Sequence, residues 1–192
     1  MAEKGDSGMS GGHGHGHGDH GGNKKIALLI SLLALVLAFS ETLGKSAQTA
    51  ALAYNIEASN LWAFFQAKTI RQTVLRTAAE ELQAGSTSAA AKEQMAKWRE
   101  TAQRYQSEPE TNEGRDQLAA RAKAAEKKRD ISMAAYHHYE LASAAVQIAI
   151  VLASASIIAE IIALAWIGGA LGVIGMVFCA IGFFAPSSVH LF

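Results

Sequence analysis

Four histidines, His13, His15, His17 and His20, stand with Asp19 in the stretch HGHGHGDH. Neutral imidazole is a good ligand for Zn, Ni and Cu(II). The glycine spacers let the chain wrap around an ion, but nothing in the stretch orients the rings, and wrapping sacrifices the entropy of a flexible segment. The expectation is a solvated low-complexity tail with at most weak metal capture, and no other cofactor. His137 and His138 with Glu140 form a second group. Neighbouring residues on a helix point about 100° apart, so this pair does not make a two-pronged ligand within one chain. Tyr136 and Tyr139 beside them suit a membrane–water boundary. Glu41 and Glu160 are acids set in or beside apolar runs, with Gln147 between them in the chain. Together they are the candidates for an ion path. Serine, histidine and aspartate are present, but no nucleophile motif, phosphate loop or Cys/His metal spacing joins them, so no enzymatic reaction is expected.

The elements that position these residues follow from where the apolar residues lie. Half of the 192 residues are hydrophobic, and 17 basic residues balance 17 acidic ones, which gives no electrostatic case for nucleic acid as a partner. The one cysteine, Cys179, rules out an intrachain disulfide. Residues 1–25 are rich in Gly and His and read as a disordered tail. Residues 26–43 are almost unbroken apolar sequence behind Lys24 and Lys25. They reach roughly 27 Å as a helix, enough for a bilayer core, and exceed the ~7–15 apolar residues of a cleaved signal peptide. Residues 141–185 would make a single helix of roughly 67 Å, so they must fold back. Glu160, the one charge there, belongs at the turn near headgroups. This predicts spans at 141–159 and 164–185, with a short tail at 186–192.

Between the first two spans, residues 44–140 are dominated by strong helix formers. One nearly continuous helix is expected from the membrane to about Ala84. GSTS at 85–88 stops it and caps the next helix, 89–106. The loop SEPETNEG at 107–114 precedes a returning helix from about Arg115. On a helical wheel Thr49, Leu52, Ala53, Ile56, Ala63, Ala67, Ile70, Val74 and Ala78 form one stripe, read here as the packed face. Leu61, Trp62 and Phe65 point elsewhere, so the helix is apolar nearly all round at 61–65. Three readings are open for this section. It is a bundle core made with the returning helix (Leu118, Ala122, Ala125, Met133 and Tyr136) and other subunits, a membrane-surface helix, or a ligand pocket edged by Asn60, Gln66 and Lys68. Trp62 lies roughly 30 Å beyond the first span, which disfavours the second. In the third span Gly168 and Gly172 form a GxxxG pair, and Ala145, Ala149 and Ala153 make a small stripe in the second. Such faces admit close helix packing, within the chain or between copies.

The stretch SNLWAFFQAKTIRQ also resembles the signature of a bacterial membrane family known as domain of unknown function 4337. The matching positions are Ser59, Trp62, Ala63, Phe65, Gln66, Ala67, Lys68 and Arg71. A second match, YELASAAVQIAIVLASASIIAEIIALAW at 139–166, is similar to the family's second span and turn. The family's turn usually carries polar or basic residues where this chain has Ala159, Glu160, Ile161 and Ile162. The resemblance implies a topology from about Lys24 onward and no biochemical activity.

The chain is therefore expected to be an all-α integral membrane protein with three transmembrane helices and an extramembrane helical hairpin, a coiled-coil-like stalk. Its expected role is that of a membrane-anchored structural or interaction protein that self-associates. Trp62, Phe65, Gln66, Lys68, Gly168 and Gly172 are the packing and interaction candidates, and the lipid bilayer and a second copy are the expected partners. The alternatives are a channel or transporter component using Glu41 and Glu160, and a membrane sensor or adaptor. Lys24 and Lys25 favour a cytoplasmic N-terminus at a bacterial inner membrane. The basic run from Arg121 to Arg129 argues for a cytoplasmic stalk, but the first helix usually dominates.

Overall fold

A computed structural model describes residues 20–188, and these are helical almost throughout. The four helices are α1 (His20–Gly85), α2 (Ala89–Gln106), α3 (Arg115–Ala159) and α4 (Ile162–Phe184). α1 is one uninterrupted helix of 66 residues, roughly 100 Å long. It passes straight through Gly44, where the backbone lies so close to α3 that an added Cβ would sit 3.3 Å from the Cβ of Tyr139. α1 begins at His20, inside the segment expected to be tail. His13, His15 and His17 lie outside the described residues.

The connections fall where the sequence places them. Ser88 caps α2, its side chain accepting a hydrogen bond from the N–H of Ala91 at 3.1 Å. The 107–114 loop carries the chain from α2 to α3, with Asn112 at φ 56°. α3 runs back along α1, antiparallel to it, from the loop to Ala159. The turn to α4 is only two residues, Glu160 and Ile161. Glu160 takes the left-handed conformation at φ 55°, ψ 25°, a strained choice for a residue with a Cβ. α4 starts at Ile162, two residues earlier than expected. Three helices, α1, α3 and α4, are long and apolar enough to cross a bilayer.

At the apolar end the core is thin and made of small side chains. Ala142, Val146, Ala149 and Ala153 of α3 are fully buried, and Leu33 and Ile26 of α1 and Ala165 of α4 pack on them. Gly168 and Gly172 are buried inside the chain and face different neighbours. A Cβ on Gly168 would lie 2.8 Å from the carbonyl oxygen of Ala149, and one on Gly172 would collide with the side chain of Leu33. The Gly/Ala faces thus pack against each other within one chain.

The stalk reverses the expected assignment of faces. α3 and α2 pack on the side of α1 that carries Ala51, Ala58, Leu61, Lys68, Gln72 and Ala79, all buried. The predicted packed stripe lies on the opposite side and is open. Leu52, Ile56, Ile70 and Val74 are between 57% and 65% exposed, and Ala53, Ala63 and Ala67 are exposed with them. The wheel misled because α1 is apolar on two opposite sides, and the buried side includes a lysine and a glutamine that a hydrophobicity pattern scores as solvent-facing. On the returning helix Leu118, Ala122 and Ala125 are buried as expected, whereas Met133 is exposed.

Candidate functional site

Partway along the stalk, about 20 Å short of the end of α1, the polar side chains of α1 converge with those of α2, α3 and the 107–114 loop. Steps of three and four along α1 put Leu61, Phe65, Lys68 and Gln72 on one face. Leu61 packs with Leu118 and Ala122, and Trp62 and Phe65 close over them. The two rings meet edge to face at 5.4 Å. Trp62 is not free to anchor elsewhere, because its Nε1–H donates to Glu126 Oε1 at 2.8 Å. The covering of Trp62 and Phe65 is therefore intrachain, supplied by α3.

Lys68 is 5% exposed. A buried ammonium needs opposite charge and donors' partners in place of water. Its Nζ lies 3.5 Å from Glu108 and 3.8 Å from Glu113 of the loop, and 5.4 and 5.6 Å from the ring centres of Phe64 and Tyr105. One turn on, Gln72 donates to the carbonyl oxygen of Ala102 at 2.9 Å and to Gln106 Oε1 at 3.2 Å. It accepts from Arg115, whose guanidinium also donates to Gln106 at 3.0 Å and lies 4.9 Å from the centre of the Phe65 ring. The Arg115 Nε–H is buried without a partner. Glu108 is tied two more ways: its carboxylate accepts from Arg104 at 2.9 Å, and its backbone N–H donates to Gln117 at 3.2 Å. The Arg104 hydrogen bond holds the Glu108 carboxyl below the usual glutamate range, Thr111 and Lys68 add to this, and partial burial opposes it.

Chemically this is a lock. Cations and amides are matched to carboxylates and carbonyls of the same chain. Sequence reasoning singled out Lys68 but not its counter-charges Glu108 and Glu113, nor Gln72, Arg115 and Glu126. The legible signal was the four-residue step from Lys68 to Gln72 on the face already marked by Leu61 and Phe65. Gln66, by contrast, is exposed and outside the lock.

The ion-path candidates are not brought together. Glu41 Oε1 accepts from Gln147 at 3.3 Å and borders a groove of about 460 Å³ between α1 and α3, with Ser40, Gln48, Tyr136 and Ser143. Glu160 borders a different groove, beside Gly22 and Asn23 at the start of α1. Eighteen residues of α1, roughly 27 Å, separate the two levels, and Leu33, Val146, Ala149 and Ala153 fill the interior between them. His137 and His138 diverge. His137 Nδ1 lies 3.7 Å from Glu140, while His138 is fully buried, 3.2 Å from the Pro186 carbonyl oxygen through Nε2 and stacked on Phe178. Among the described residues no three His, Cys, Asp or Glu side chains are grouped to hold a metal ion.

No curated protein and no solved structure matches the chain. The family model described as "Domain of unknown function (DUF4337)" matches residues 22–185, which takes in the Trp62–Lys68 stretch, the whole stalk and all three long apolar helices. The lock and the small-residue core both lie inside that span, and the chain belongs to this family.

Proposed function

We propose that the protein is a membrane-anchored structural or interaction protein that works as a homo-oligomer. In this reading the apolar parts of α1, α3 and α4 span a bacterial inner membrane three times, with the N-terminus in the cytoplasm. The α1–α2–α3 hairpin projects on the other side as a stalk. The observation that carries the reading is the open apolar side of α1. Ile56, Ile70 and Val74 are at least 60% exposed on a part of the helix that lies beyond the apolar segments of all three long helices. Water-exposed apolar rows of this kind mark interaction surfaces. Behind them the lock ties α1, α2 and α3 together, and a fixed presenter suits a protein whose work is contact. Native mass measurement of the full chain in mild detergent tests the proposal. Oligomers are expected, and a strictly monomeric protein across detergents overturns it.

A channel or transporter role is the rival reading, favoured by the polar groove at Glu41. It requires other copies to connect Glu41 to Glu160, since the interior of one chain is apolar between them. Glu160→Gln in liposomes separates the two readings: unchanged ion flux is expected for the structural role, and altered flux supports the channel.

A further inference from the structure

We infer that the open face of α1 is the seat of a second copy of this chain, the two α1 helices running parallel as a two-stranded coiled coil with Asn60 against Asn60. This rests on the self-association proposed above and names its surface and geometry. Ala53, Ile56, Asn60, Ala63, Ala67, Ile70 and Val74 follow one another at alternating steps of three and four, and all are exposed. Thr49 and Thr77 extend the row by one step at each end and are exposed too. That is a strict heptad seam over four heptads, about 42 Å of helix. Its period is 3.5 residues, so it stays on one line only if two helices wind around each other with a left-handed twist. The same steps continue toward the N-terminus through Ser46, Thr42, Phe39, Leu35, Leu32 and Leu28, again all exposed. The row thus runs from the apolar end of α1 to Thr77.

Other occupants fit less well. α2 and α3 sit on the opposite side of α1. Lipid can cover Leu28 to Phe39, but Val74 is 30 residues, roughly 45 Å, past Gly44, far beyond any headgroup. Residues 1–19 precede α1 at its opposite end and are nearly devoid of large apolar side chains.

The orientation follows from anchorage and from Asn60. Copies inserted the same way in one membrane are related by an axis along the membrane normal, so each seam residue meets its own counterpart. Asn60 then faces Asn60, and each amide offers the other a donor and an acceptor. A slipped register or an antiparallel pairing buries that amide against a different residue, in the shifts by one heptad against Ala53 or Ala67. A lone Asn in a heptad seam is a known device for fixing register and chain number. In the parallel register the flanking contacts pair Leu52 with Glu57, Ser59 with Phe64, Gln66 with Arg71 and Thr73 with Ala78, so no like charges oppose each other. Alanines at 53, 63 and 67 let the helices approach closely.

Single cysteines placed in a Cys179→Ser background and oxidised in native membranes test the face directly. Ala63→Cys and Ala67→Cys are expected to give a disulfide-linked dimer, and Arg76→Cys, exposed on another side of α1, is not. The pair Ile56→Asp and Ile70→Asp is expected to abolish the dimer while circular dichroism stays unchanged, since neither side chain is used inside the chain. Asn60→Val is expected to keep association but to add species larger than a dimer. Oligomers by native mass without cross-links at 63 and 67 overturn this face and leave the proposed function standing. Monomers alone overturn both. A pure in-register dimer from Asn60→Val overturns the role given to Asn60.

Discussion

The apolar end (α1, α3 and α4) and the stalk (α1, α2 and α3) share two long helices, yet they are held by opposite means. At the apolar end, α3 and α4 close on small residues, Ala149 and Ala153 against Gly168, and Ala142 and Ala145 against Gly175. On the proposed membrane reading, helices surrounded by lipid have little hydrophobic drive to associate, so contact there depends on backbones approaching closely. In the stalk, the most buried side chains of α1 include Lys68 and Gln72, while Ile56, Ile70 and Val74 face outward. One helix carries two faces there. The intrachain one is specified by charge and amide pairing, and the outward one is left apolar. The difference teaches that the stalk trades hydrophobic area for a defined helix geometry, because a buried polar network is favourable only in the arrangement that pairs its members.

The sharpest way to break that contrast is to remove the polar centre of the stalk. Lys68→Ala removes the cation shared by Glu108 and Glu113, but Glu108 keeps Arg104 and Glu113 is half exposed, so the cost is that of a lost charged hydrogen bond, about 1.5–3 kcal/mol. Amide hydrogen exchange reads it as lost protection in α2 and the 107–114 loop with the apolar end unchanged. An equal loss at both ends means that the two regions fold as one unit and the contrast fails. The apolar end is tested by a pair of neighbours. Gly168→Ala places a Cβ 2.8 Å from the backbone oxygen of Ala149, which cannot rotate away, and should destabilise by about 1–3 kcal/mol. Gly169→Ala meets nothing within 4 Å and should be neutral or stabilising by up to about 1 kcal/mol, the helix-propensity gain. Thermal unfolding in detergent compares them, and similar shifts in both variants would mean that close approach is not what holds α3 to α4.

Much of the scaffold was legible in the sequence because it depends on patterns that local chemistry sets. The caps at Ser88, the loop at 107–114 and the fold-back at Glu160 all lie where the breakers and the lone charge put them. What was not legible was which side of α1 faces α3. Periodicity reports how apolar residues are spaced but not which of two apolar sides has the partner. The deciding residues, Lys68 and Gln72, are buried only because Glu108, Glu113 and Arg115 arrive from about 40 residues away. Trp62 illustrates the same limit. Its place on the helix was readable, but its hydrogen bond to Glu126 spans 64 residues.

That bond gives a smaller test of the comparison. Trp62→Phe keeps most of the apolar contact with Leu118 and Ala122 and removes the N–H that reaches Glu126. A cost of about 1 kcal/mol is expected, or somewhat more because the acceptor is a carboxylate. A Glu126→Gln variant should show a smaller loss, since its amide oxygen still accepts. Chemical denaturation followed by the fluorescence of Trp98 in α2 measures the first and Trp62 fluorescence the second. A neutral Trp62→Phe would place the specificity of the stalk in the Lys68 lock alone.

The mildest perturbation is acid. Glu108 sits below the ordinary glutamate value, chiefly through its hydrogen bond from Arg104. A carboxyl whose folded value is depressed binds protons more readily when unfolded, so protonation favours opening. The contribution to stalk stability is therefore complete above the unfolded value of about 4.3 and fades as pH falls through the lower folded value. Exchange protection in the 107–114 loop, corrected for the intrinsic rate at each pH, should hold level from pH 7 to pH 5 and decline below about pH 4. Arg104→Gln removes the main cause of the depression and should flatten the decline. The apolar end, whose α3–α4 contact holds no ion pair among the described residues, should keep its protection throughout. If acid opened that end first, charge pairing would not be what separates the two regions.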